Sequence, residues 1–423
     1  MAQYVAPAPA ALAAPAPDAR PITSRAHAEA HIAARAFRPG RAVRTGVELE
    51  FTVHHAADPA RPLSVALLAA ALGPHAPAAL RPDAGAPLPA GGAVTVEPGG
   101  QVEISSAPHT DLGALCAALD ADIAHLAGLL AVHGLRLGDS GLDPHRAPHR
   151  LLASPRYEAM ARAFDRDGPA GTVMMRSTAG LQVCVDAGEP GEVGERWALL
   201  HLLGPPLVAA FATAGRHAGR PTGHASARMC AWLDIDPRRT APVWRSGAAA
   251  APPGAAWAAY ALGAPLLCLR RPGGDWSAPP AVTFADWIDG ALPTPPTVDD
   301  LEYHLTTLFP PVRPRGYLEV RYLDAQPPGA WFVPVLVICA LLADGAVRAE
   351  AARLCAPAAG RWREAARAGL ADPLVGPAAR AVLRLAADSL GALTDVAGPV
   401  RRRTQVIIDR IRGTTAAEGG GYG

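Results

Sequence analysis

Glutamate recurs in this chain at a spacing that a β-sheet would collect on one face. In Thr45–His54, Glu48 and Glu50 alternate with Val47, Leu49 and Phe51. Successive strand side chains point to opposite faces, so the two carboxylates lie on one side about 7 Å apart. Thr95–Ser106 repeats the pattern: Gln101 and Glu103 stand against Val102 and Ile104, with Glu97 just ahead of a Pro98-Gly99-Gly100 bend. Read as a strand, Val173–Asp186 sets Arg176, Thr178, Gln182, Cys184 and Asp186 opposite Met175, Ala179, Leu181, Val183 and Val185. Gly316–Ala325 sets Tyr317, Glu319 and Arg321 opposite Leu318, Val320 and Tyr322. Any one of these segments alone is an ordinary antiparallel strand with one wet face. Together, five glutamates from three strands on a shared face would repel unless cations bind between them. Hard divalent ions such as Mg²⁺ take carboxylate and amide oxygens and bridge to phosphates. The residue types therefore point to a carboxylate-lined, arginine-edged face that holds metal ions and a polyphosphate.

Composition narrows the chemistry further. All 39 basic residues among the 423 are arginine, which excludes a GxxxxGK[ST] phosphate loop, Schiff-base lysines and lysine general bases. Against 38 acidic residues the formal net charge is +1, which gives no electrostatic footprint for nucleic acid. The six cysteines are scattered without CxxC or CxxH spacing, so free thiols in a reducing cytoplasm are expected. The apolar runs Leu199–Ala214 and Ala330–Ala343 fall short of the roughly 20 residues a spanning helix needs, so no membrane partner is expected. His27 and His31 are four apart on a helix, but without the glutamate of an HExxH pattern they read as a solvated face.

The elements that must position these residues are mixed. A helix is expected over Arg25–Phe37 behind Ser24, a short one around Ser64–Leu72, and an amphipathic one over Asp111–His133 that stops at Gly134. Glu195–Ala214 reads as a buried helix pair or one kinked helix. Residues 215–296 read as long loops, and Val298–Phe309 as a helix behind Thr297. From Trp331 onward the pattern is helical, over 333–355, 361–370, 376–396 and 400–412. The expectation is an α+β fold with one catalytic domain over 23–412, its last part (331–412) helical. An Ala/Pro tail (1–22) and a Gly-rich end (413–423) flank it.

Five motifs in order resemble one family. They are Gly46-Val-Glu48-Leu-Glu50-Phe51, Glu97-Pro-Gly-Gly-Gln101-Val-Glu103, Met174-Met-Arg176-Ser-Thr178-Ala-Gly-Leu-Gln182-Val, Arg228-Met-Cys-Ala-Trp232-Leu-Asp234-Ile-Asp236-Pro-Arg-Arg239-Thr240 and Gly316-Tyr-Leu-Glu319-Val-Arg321. They are similar to the motifs of glutamate–cysteine ligases, most like the actinobacterial branch that opens ergothioneine biosynthesis. The resemblance implies a glutamine synthetase-like fold, an antiparallel funnel-shaped sheet with helices on its outer face. It implies ATP-dependent coupling of L-glutamate, through its γ-carboxylate, to L-cysteine. By motif position Glu48, Glu50, Glu97, Glu103, Gln182 and Glu319 would hold magnesium. Arg321, with Glu319, would act at the transferring phosphoryl group. Arg176, Thr178, Arg228 and Arg239 would bind ATP phosphate or substrate carboxylate. Cys184 stands where relatives often carry asparagine, and Ala241 where they carry glycine. A ligase with another amine substrate, a binding relative and a metal hydrolase are the competing readings. A complete acidic set beside Arg321 disfavours the last two.

Overall fold

Period-two alternation builds the central sheet. In the computed structural model, which describes residues 18–41, 43–244 and 252–413, the strands are β1 (Thr45–Phe51), β2 (Val53–His55), β3 (Ala93–Val96), β4 (Val102–Ser105), β5 (Leu135–Leu137), β6 (Gly180–Asp186), β7 (Arg216–His217), β8 (Arg220–Pro221), β9 (Val312–Pro314) and β10 (Tyr317–Asp324). Among the described residues six of them form one sheet in the order β3-β4-β1-β6-β10-β9, every neighbouring pair antiparallel. Val47, Leu49, Phe51, Val102, Ile104, Leu181, Val183, Leu318 and Val320 on one face are buried in the core. Helices cover that face, and the α+β class with a helical C-terminal region holds.

Capping and spacing account for the helices. Ser24 and Ser64 cap Arg25–Ala36 and Val65–Leu72 through His27 and Leu67 N–H. Asp111 caps Leu112–Val132, whose Leu115, Leu119, Ile123, Leu126 and Leu130 turn inward. That helix is apolar and long enough to cross a bilayer, which the sequence reading overlooked. Its acidic groups serve the protein interior instead: Asp122 accepts the Ala90 and Gly92 N–H groups, and Asp120 accepts the Trp331 indole N–H. Val193–Leu202 and Gly204–Ala210 are the buried helix pair. Helix Phe332–Leu342 is almost wholly enclosed by the helices that follow it.

Several expectations are corrected. Val173–Ser177 is not strand but the end of helix Ala170–Ser177, because Gly171, Met174 and Met175 bury one helical stripe. Thr95–Ser106 is a hairpin of two strands, closed where Gly100 adopts φ +88° and Gly100 N–H donates to Glu97 O. Val53–His55 leaves the main sheet to pair with β5. Residues 215–296 contain helices Ala227–Asp234, Pro237–Thr240 and Pro253–Gly263. The prolines that read as breakers there occupy first-turn positions, where a missing N–H costs nothing. The expected N-terminal tail is too long, since Pro21 bridges Thr297 and Ile22 N–H donates to Pro296 O at 2.8 Å. The rest of that tail (1–17) and the end of the chain (414–423) lie outside the described residues. All six cysteines are free thiols.

Candidate active site

Register decides which polar side chains meet. Glu48 of β1 pairs with Ser105 on β4 and Gln182 on β6, and Glu50 pairs with Glu103. Thr95 of β3 pairs with Glu103, Cys184 pairs with Gly46 and Glu319, and Glu319 pairs with Arg313 of β9. Directly paired residues share a face. One face thus carries, across five neighbouring strands, Glu103, Glu50, Glu48, Gln182, Cys184, Glu319 and Arg313. Glu97 joins them from the hairpin turn.

The left half of this face is acidic and loosely tied. Gly180 N–H and Gln182 Nε2 donate to Glu50 at 2.6 and 3.2 Å. Thr95 and Ser105 hydroxyls donate to one oxygen of Glu103 at 2.9 and 3.1 Å. Burial, then the charges of Glu50, Glu48 and Glu97, push Glu103 up to about 8. Burial and Glu50 push Glu97 up to about 7, and burial with Glu319 also raises Glu48. These carboxylates have more negative charge between them than the protein neutralises.

Arginines rule the right half. Glu319 is fully buried and receives two parallel hydrogen bonds from Arg313, at 2.6 and 3.1 Å. Arg321 stands 3.1 Å and Arg315 3.8 Å from the same carboxylate. Burial alone would raise the Glu319 pKa, but Arg313 and Arg321 override it and hold it near 2. Arg321 also donates to the Gln182 side-chain oxygen. Arg313 and Arg315 escaped the sequence reading. Their Arg-x-Arg spacing ahead of Gly316 is the same two-residue signal the glutamates give, but the strand holds only Arg313 and ends at Pro314.

The remaining expected residues separate by burial. Arg228 is enclosed, donating to Arg321 O at 3.0 Å and lying 3.7 Å from Asp324. A Cβ at Gly180 would fall 2.3 Å from its Nη2, so any larger residue there would have to displace the enclosed guanidinium. Arg239 spends its guanidinium on Asp236, Thr307 O and Pro265 O, at 3.3, 2.9 and 2.7 Å. The Thr178 hydroxyl donates to Met174 O at 2.6 Å. Arg228, Arg239 and Thr178 thus have protein partners of their own beneath the acidic face. Trp232 donates to Phe309 O, and the guanidinium carbons of Arg228 and Arg321 lie 5.3 and 5.7 Å from its ring. Arg176, Arg228 and Arg321 each keep a buried Nε without a hydrogen-bond partner, and the Arg176 carbonyl seats the Glu97 turn, where a Cβ on Gly99 would fall 2.1 Å from it.

The family model for glutamate–cysteine ligase family 2 (GCS2) matches residues 44–403 and so includes every strand of the central sheet. The chain belongs to this family. It is 39% identical to the glutamate–cysteine ligase EgtA of Mycolicibacterium smegmatis over 376 residues, 87% of this chain and 85% of the relative. With the EgtA of Mycobacterium tuberculosis it shares 38% identity over 413 residues, 95% and 91% of the two chains. A crystal structure of the Francisella tularensis glutamate–cysteine ligase in complex with AMP aligns at a TM-score of 0.49 and 11% identity, covering 89% of this chain and 83% of that one.

Membership in this family raises the question of metal, and the donor set answers it in part. Glu48, Glu50, Glu97 and Glu103 are half-buried oxygen donors that suit a hard divalent ion. Glu48, Cys184 and Glu319 bring ligand atoms within 4.8 Å of one another. Two expected ligands also have protein partners. Gln182 gives its oxygen to Arg321 and its amide to Glu50. Both oxygens of Glu319 are on Arg313, which makes Glu319 the anchor of the arginine group.

Proposed function

We propose that the chain is an ATP-dependent ligase that joins the γ-carboxylate of L-glutamate to the amine of L-cysteine. The products are γ-glutamylcysteine, ADP and phosphate, and the reaction opens ergothioneine synthesis. Supporting this reading is a single arrangement: a cluster of carboxylates with raised proton affinity runs directly into Arg321, which is fixed between Gln182 and Glu319. Phosphoryl transfer asks a protein for positioning and charge neutralisation more than for a nucleophile.

In the proposed reaction the γ-carboxylate takes the terminal phosphoryl group of ATP, and the γ-glutamyl phosphate is then attacked by the cysteine amine, releasing phosphate. Glu48, Glu50, Glu97 and Glu103 would hold Mg²⁺, which when bound offsets the negative charge of the phosphate oxygens. Arg321 presents a planar, permanently charged fork to the transferring group. Glu319 and Gln182 keep that fork aimed, and Arg313 keeps Glu319 ionised to do so. Arg176, whose backbone packs on the Glu97 turn and whose Nε has no partner, would meet a substrate carboxylate or phosphate, a role for which Arg228 also keeps a free Nε.

The test is ADP release from purified protein with ATP and Mg²⁺, comparing glutamate alone, cysteine alone, both, and glutamate with other amines. Mass spectrometry identifies the product. ADP that requires both amino acids, with γ-glutamylcysteine formed, is the expected result. ADP formed faster with another amine would reassign the substrate, and no ADP in any pairing would refute the ligase reading.

A further inference from the structure

Away from the acidic face, two imidazoles from separate elements meet. His75 ends the 3₁₀ turn Gly73–His75, and His125 lies in the middle of helix Leu112–Val132. Their Nε2 atoms are 3.3 Å apart, and the rings stand edge to face at 88° with centroids 5.2 Å apart. His75 Nδ1 lies 2.9 Å from the Ala86 carbonyl oxygen, which can only accept, so Nδ1–H donates. That contact places the His75 proton on Nδ1 and leaves the Nε2 lone pair to accept from His125 Nε2–H, a proton that a bound cation would displace. A backbone carbonyl behind the non-ligating nitrogen is also the usual way a metal-binding histidine is oriented.

The separation carries the argument. A tetrahedral Zn²⁺ with Zn–N bonds of about 2.0–2.1 Å sets two of its ligand nitrogens about 3.3 Å apart. The rings are thus spaced as a two-histidine chelate requires, and both are half-buried, so water has access to the remaining positions. We propose that His75 and His125 form a chelating site for a divalent transition cation of the zinc or nickel type, separate from the acidic face. Imidazole nitrogen favours such ions over Mg²⁺, whose preference is oxygen, so the two sites select different metals.

The surroundings say what binding would do. Gly85 and Ala86 N–H both donate to Pro74 O at 3.0 Å, beside His75. Ala90 and Gly92 N–H donate to Asp122 at 2.7 and 2.8 Å, one helical turn from His125. The segment between Gly73 and Gly92 is thereby closed on itself at Pro74 and tied to the helix at its far end through Asp122, with the two imidazoles meeting at its near end, and β3 with Glu97 begins next. A cation shared by His75 and His125 staples this segment to the helix.

The experiment is calorimetric titration of tag-free, full-length protein with Zn²⁺ in excess Mg²⁺, comparing the wild type with His75→Ala, His125→Ala, His125→Gln and the double alanine variant. The wild type should show a Zn²⁺ equivalent that each single variant weakens tenfold or more. The double variant should be no worse than either single one, because losing one arm already breaks a chelate. Zn²⁺ should raise the thermal midpoint of the wild type alone. Zn²⁺ taken up by the carboxylates is common to every variant and cancels. Circular dichroism and ATP-dependent ADP release, unchanged in His125→Gln, establish that the variants are folded. Identical isotherms in wild type and single variants, or small losses that add in the double variant, would overturn the proposal.

Discussion

Replacing Arg313 by methionine tests the electrostatic reading most directly. Glu319 has no exposed surface, and Arg313 supplies two of its hydrogen bonds. Stranding one member of a buried pair costs about 3–5 kcal/mol. Arg321 remains at 3.1 Å, and Arg315, half-exposed, at 3.8 Å, so the lower end of that range applies. Proton linkage gives the same scale for the arginines acting together against burial: the step from the ordinary 4.5 to about 2 corresponds to about 3 kcal/mol, at about 1.36 kcal/mol per pKa unit, with Arg313 the largest of them. The sign follows from the depressed value. A carboxylate whose folded pKa lies below its unfolded one stabilises the fold above the unfolded pKa and loses that contribution as pH falls through the folded one. Arg313→Met should therefore cost about 3 kcal/mol in urea unfolding at pH 7, followed by tryptophan fluorescence, and the deficit should shrink between about pH 4.5 and pH 2. Adding Glu319→Gln should recover part of it, since no charge is then stranded. A loss under about 1 kcal/mol at pH 7, or one independent of pH, would refute the claim that Arg313 keeps Glu319 ionised.

Other outcomes follow from the same geometry. Glu97 and Glu103 are raised to about 7 and about 8, so their contribution to stability is complete below the ordinary 4.5 and is lost as pH climbs through those values. The thermal midpoint without divalent metal should fall between about pH 5 and pH 8.5, with Mg²⁺ restoring most of the loss at the upper end; a flat profile contradicts the assignment. Glu48→Ala should abolish ADP release while the circular dichroism spectrum is retained, and full turnover would remove Glu48 from the metal site. Arg321→Lys should lower kcat by about a hundredfold, because a point charge cannot contact Gln182 and Glu319 together; near-normal rates would end its assignment to the phosphoryl group. Gly99→Ala must displace the Arg176 carbonyl, so a destabilisation of about 1–3 kcal/mol with impaired turnover is expected in paired denaturation and activity measurements. An unchanged protein would show that this packing is slack.

Much of the acidic face was legible because alternation is local. Glu48 and Glu50, or Glu319 and Arg321, share a face wherever their strand sits, and the buried partners Val47, Leu49, Leu318 and Val320 say which face is wet. Harder to read was the boundary at Ser177, where an alternating pattern runs into a helix whose methionines also satisfy a helical stripe. Prolines 237 and 253 look like breakers in a list of residues and act as helix starters in space. Arg228 and Arg239 are typical ligand-seeking residues by type, and only the tertiary structure shows that both are enclosed, with backbone carbonyls taking several of their donors.

The sequence by itself determined the chemical character of the sheet: which residues can face water together, that they are carboxylates edged by arginine, and which family motifs they form. Tertiary structure decided the pairing. Glu319 meets Arg313 because β9 and β10 fold back in one register, and β6, distant in sequence, lies on its other side where it has no exposed surface. Covalent geometry sets the two-residue period of a strand, so a short stretch of chain contains it. Partner choice and burial depend on where remote segments land, and with them the sign and size of every pKa shift in the site.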